Sequence, residues 1–129
     1  MLVARRAALR VAEGRGREVV LAAQRELERS IEPDMPDEAY IEANARFHEA
    51  LLQVADAPKL AAQIDLLFTA FVRASTVHWL TRPSFAVSNE DHRAITAAIL
   101  EGDAASAEML MRSHIRRTAI KLKQLRQDH

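Results

Sequence analysis

The chain has 129 residues, 49% of them hydrophobic and 28% charged, enough for one domain with a core of its own and too few for a second. Its 18 Lys and Arg balance 18 Asp and Glu, so no global basic field exists to hold a polyanion by counterion release, and nucleic-acid binding by this chain alone is disfavoured. The absence of cysteine excludes disulfides, thiolate metal sites and cysteine nucleophiles, so any metal must rest on His, carboxylate or amide groups.

Three glycines and four prolines cut the chain into six pieces rich in Ala, Leu, Arg and Glu, the better helix formers. The spacing predicts helices over about 3–13, 17–31, 36–55, 58–80, 89–101 and 104–126, and no strands. Arg5, Arg6, Arg10, Arg15 and Arg17 interrupt the first segment, so it does not read as a signal peptide. No stretch reaches the roughly 18 apolar residues of a membrane span. A soluble, cytoplasmic protein is expected.

Several helix ends carry a signal. Asp34 can cap a helix whose second position is Pro36, and Pro58 suits a first turn because the N–H it lacks would be unpaired there. Ser88 followed by Asp91 approximates a capping box. Gly102 then Asp103 reads as a stop followed at once by a new cap. Short connections favour an all-α antiparallel bundle of about six helices. The last helix is basic (Arg112, Arg116, Arg117, Lys121, Lys123 and Arg126), which reads as a solvated face with cations placed where the helix dipole favours them.

Polar residues in the apolar stripes are the informative feature. The third helix steps inward as Ile41, Asn44, His48, Leu51 and Ala55, so Asn44 and His48 project from one face a turn apart. Burying both without partners would cost on the order of 1–3 kcal/mol each. His92 leads the inward series His92, Ile95 and Ile99, and His114 lies beside Ala107, Met111, Ile115 and Leu122. One buried histidine is usually a satisfied core residue. Three of them with an inward amide suit a borderline divalent metal held without thiolates. His78, beside Trp79, and the terminal His129 stay outside this set.

A metal-dependent hydrolase or lyase built on the same cluster is the alternative, with Glu49 or Asp91 as the base. Each adjoins a ligand in sequence and so points about 100° from its face. No Gly-rich phosphate loop, nucleophile elbow or HExxH motif is present, so a binding domain is preferred to an enzyme.

The segments Asn44-Ala-Arg-Phe-His48-Glu-Ala-Leu51, Asp91-His92-Arg-Ala-Ile95-Thr-Ala-Ala-Ile99, Gly102-Asp103 and Met111-Arg-Ser-His114-Ile115 resemble the FCD domain, the carboxy-terminal effector-binding half of FadR-type regulators of the GntR family. The 22-residue interval from His92 to His114 fits, and the resemblance runs from about residue 17 to the end, with a shortened first helix. It implies a six- or seven-helix antiparallel bundle. It also implies a divalent transition metal, zinc ahead of nickel or manganese, on Asn44, His48, His92 and His114. A small carboxylate effector reaching that metal is implied too, with operator DNA bound through an N-terminal winged helix-turn-helix that residues 1–129 do not include. A homodimer suits the family, although no residue pattern specifies one. Arg73, the single cation between Leu60 and Thr81, is a candidate clamp for the effector's far carboxylate. Where the family carries Asp or Asn, this chain has Asn44, which brings no charge. A divalent ion on Asn and three neutral His keeps its +2, favouring an anion in the open positions.

Overall fold

The computed structural model describes residues 2–56 and 82–127. Among them are five helices and no strand: α1 (Leu2–Ala12), α2 (Arg17–Ser30), α3 (Asp37–Ala55), α4 (Arg82–Leu100) and α5 (Ala104–Gln127). They pack as the expected helical bundle, with α1 against α3, α4 and α5, α2 against α3 and α4, and α4 against α5. The helix expected over 58–80, with Pro58, Arg73, His78 and Trp79, lies outside the described residues, as does His129.

Although it reads as shortened, α1 runs through the core. Val3, Ala4, Ala7, Ala8 and Val11 are buried along one face, and the three alanines let neighbouring helices come close. Its cationic side meets the end of α3, where the last carbonyls have no partner inside the helix. Arg6 donates to the carbonyls of Ala55 (3.1 Å) and Asp56 (3.3 Å), and Arg10 reaches the Asp56 carboxylate.

Glycine is required where α1 turns into α2. Gly16 has φ +84°, and a Cβ there would fall 2.6 Å from the Val54 side chain, so only glycine seats the start of α2 on the last turn of α3. Between α4 and α5, Gly102 adopts φ +72° and the Asp103 carboxylate accepts from the Ser106 amide at 3.1 Å, the stop and cap expected there.

Two expected caps do not form. Asp34 does not start α3; its carboxylate accepts two bonds from the Arg29 guanidinium instead, and α3 begins at Asp37 after an extended Pro36. Nor do Ser88 and Asp91 start a helix at 89. They lie inside α4, which begins at Arg82 because Pro83 is tolerated in a first turn, and buried Phe85 extends the inward series through Asn89, His92, Ile95 and Ile99.

A polar seam joins α2 to α4. Gln24 donates to Glu28 (2.9 Å) and to Asn89 (3.4 Å) and accepts from the Thr96 hydroxyl (3.0 Å), while Arg93 closes the surface end on Glu28.

Candidate metal centre

Three helices deliver the histidines to one place. On α3 the buried face is Tyr40, Ala43, Asn44, Phe47, His48, Leu51, Val54 and Ala55, so the stripe is centred closer to Tyr40 and Phe47 than expected, and Ile41 is only half-buried. On α4 His92 is fully buried, with Ile95 and Ile99 below it. On α5 His114 follows buried Ala107 and Met111 on the inward face. One ring nitrogen from each of His48, His92 and His114 lies within 4.8 Å of the other two. The ring centroids are 5.6 Å apart for His48 and His92, 6.0 Å for His48 and His114, and 4.7 Å for His92 and His114.

Asn44 stands one turn before His48 on the same face and is equally buried. Its Oδ1 and the Nε2 of His92 are buried with no hydrogen-bond partner among the described residues. Orphaned acceptors of this kind are rare in folded proteins, and a cation or a water at the histidine cluster would satisfy both.

Outer hydrogen bonds set the ring tautomers. Tyr40 donates its hydroxyl proton to Ser88 Oγ at 2.7 Å, so the 3.4 Å contact between its oxygen and His92 Nδ1 puts the proton on the imidazole. His92 Nε2 is then a bare lone pair. His114 Nδ1 lies 3.0 Å from Asp91 Oδ2, and a carboxylate only accepts, so the proton of this bond sits on His114 Nδ1 and Nε2 is the nitrogen left for a ligand when the ring is neutral. Arg117 donates to the other oxygen of Asp91. Phe47 packs on His92 at 4.9 Å and on His48 at 5.6 Å, and Phe85 stacks on Tyr40 at 4.6 Å, giving the cluster an apolar wall.

Burial governs the protonation of the cluster. Desolvation, reinforced by the neighbouring His114, pulls His48 down to about 3 and carries His92 well below the ordinary imidazole value, with His48 contributing to the latter. Both rings are therefore neutral, the form that ligates. Burial alone would raise Asp91, but the hydrogen bonds and charges of His114 and Arg117 outweigh it and hold its carboxyl below the usual range.

All four residues expected to hold a metal are buried, and the three histidines are brought together. Asp91, considered only as a base, instead braces His114, and Arg117, expected on a solvated face, braces Asp91. Glu49, next to His48 on α3, is exposed. The acid immediately before His92 was the available signal for Asp91, but its partner sits on another helix.

The described residues form an all-helical bundle with a cluster of three buried histidines at its centre. A family model, the FCD domain, matches residues 1–117, and the chain belongs to that family. FCD domains are the effector-sensing domains of GntR-family transcription regulators. The match starts at residue 1, so it includes α1, which the resemblance had left aside. No curated protein and no solved structure matches the chain. No helix among the described residues is long and apolar enough to cross a membrane.

Proposed function

We propose that this domain holds a divalent transition metal, zinc in the first instance, through Asn44, His48, His92 and His114, and senses a small organic acid that completes the metal's ligand set. The observation that carries this reading is the pair of orphaned acceptors, Asn44 Oδ1 and His92 Nε2, beside three buried imidazoles whose ligand atoms lie within 4.8 Å of one another. Nickel and manganese suit the same His and oxygen donors. The bound metal would supply an electrophile for the effector carboxylate.

The chain's own residues do the rest. His48 and His92 stay neutral because they are buried. Tyr40 and Asp91 turn the lone pairs of His92 and His114 inward. Asn44 adds an oxygen without charge, leaving an anion as the preferred last ligand. An effector that binds one packing of α3, α4 and α5 better than another shifts their equilibrium, and a DNA-binding domain joined to this one reads out that shift. A sensing rather than catalytic role is supported because neither candidate base is placed for it: Glu49 faces solvent, and Asp91 is engaged by His114 and Arg117.

Elemental analysis of the purified chain beside a His92→Ala variant, before and after dialysis against chelator, tests the reading. About one equivalent of metal in the wild type, lost in the variant, supports it. No metal in either, with melting unchanged by added zinc, nickel or manganese, overturns it.

A further inference from the structure

Asn44 and three imidazoles, which ligate in their neutral form, bring no negative charge to a divalent ion, and leaving +2 uncompensated in a buried site is costly. The structure supplies an anion one bond further out. Asp91 stands immediately before His92 on α4, yet its carboxylate turns to the next helix, 3.0 Å from His114 Nδ1. Arg117, one turn beyond His114 on α5, takes the other carboxylate oxygen. The Asp91 side chain is 21% exposed against 58% for Arg117, so the carboxylate lies at the edge of the cluster and the guanidinium outside it.

We infer that Asp91 is the anionic counter-group of this centre: acting through His114, it supplies the negative charge that Asn44 lacks, and Arg117 holds its carboxylate in place. The inference rests on the metal reading above. The Nδ1–H to carboxylate bond fixes the tautomer that leaves Nε2 as the ligating nitrogen, and it makes the imidazole a stronger electron donor. Asp91 is thus a positioning residue. In one strand of sequence, α4 provides a ligand of its own, His92, and the charge behind the ligand of its neighbour. Losing such an outer partner lowers metal affinity by about 10- to 100-fold.

Zinc affinity, measured by competition with a chromogenic chelator, tests this in the wild type, Asp91→Asn, Asn44→Asp and the double variant. Asp91→Asn keeps an acceptor for His114 but removes the charge, so zinc should bind about tenfold more weakly or worse. With Asp at position 44 the charge is already present, so the same Asp91→Asn change should cost clearly less. Wild type that binds zinc beside an Asp91→Asn variant within twofold of it overturns this inference alone; wild type that takes up no zinc overturns the metal reading and this inference with it. Nitrogen-15 NMR of the zinc-loaded wild type needs no variant. It should show His114 protonated at Nδ1, and ligation through Nδ1 would refute the role of Asp91.

Discussion

The metal-free domain should be acid-labile well above the range where carboxylates titrate. His48 is drawn down to about 3 by burial and by its neighbour His114, and His92 is shifted the same way, whereas both titrate near the ordinary imidazole value once the chain unfolds. Because the folded pKa lies below the unfolded one, the unfolded chain takes up protons that the folded chain refuses. The stability is therefore complete above about pH 6.5 and drains away as pH falls from there toward 3. Each pH unit in that window costs roughly 1.4 kcal/mol per histidine. Between pH 7.5 and 5.0 His48 alone should remove about 2 kcal/mol, and His92 adds to that, out of a total of typically 5–15 kcal/mol for a domain. Urea titrations of chelator-treated protein at the two pH values measure it directly. At a slope of about 1–3 kcal/mol per molar, the midpoint should fall by about 1 M or more. Equal midpoints would mean that the two imidazoles accept protons freely in the folded state, and the buried, neutral cluster would be wrong.

Asn44→Asp should bind zinc more tightly and small carboxylates more weakly, since the added charge takes the place of the anion; isothermal titration giving the opposite pair of changes refutes the assignment of Asn44. His92→Leu removes an orphaned nitrogen from a fully buried position and keeps the volume similar, so the metal-free chain should gain about 1–2 kcal/mol in urea unfolding while losing its metal. A less stable variant would show that the Nδ1–H contact to Tyr40 and the ring packing of His92 outweigh the orphaned Nε2. Gly16→Ala places a Cβ against Val54 in a left-handed backbone and should cost about 1–3 kcal/mol; a melting temperature unchanged from wild type would contradict the tight seat of α2 on α3.

Periodicity carried most of the described fold because the helices are amphipathic and their breakers few. The ends of α1, α2, α3 and α5 fell within a residue or so of expectation, and the buried set His92, Ile95 and Ile99 followed from spacing. The start of α4 lies seven residues before the expected one because Ser88 and Asp91 have the chemistry of a capping box, although the helix begins at Arg82 and its first turn accepts Pro83 without losing a bond. Asp34 was misread because its chemistry suits a cap and an arginine clamp equally, and only the fold brings Arg29 to it. The site was half legible for a similar reason. Spacing shows which side chains turn inward, hence Asn44, His48, His92 and His114. It says nothing of what comes alongside from another helix. Asp91 points away from the face of His92, as the helical angle demands, and that is the direction in which α5 presents His114 and Arg117. Tyr40 also escaped notice, since its partners Ser88 and His92 are far along the chain.

Tyr40 is the single tyrosine of the chain, and it is buried between Phe85 and His92 with its hydroxyl bonded to Ser88. Burial raises its pKa far above the usual phenol value, so the ring stays un-ionised through any ordinary buffer, and its band is the one phenol contribution beside the indole of Trp79. Whatever settles on His92 Nε2 withdraws electron density through the imidazole to the Nδ1–H that faces the phenol oxygen. The domain therefore carries its own optical gauge: in a Trp79→Phe background, a shift of the near-ultraviolet tyrosine band on titration reports the state of His92 from within the core, without a label.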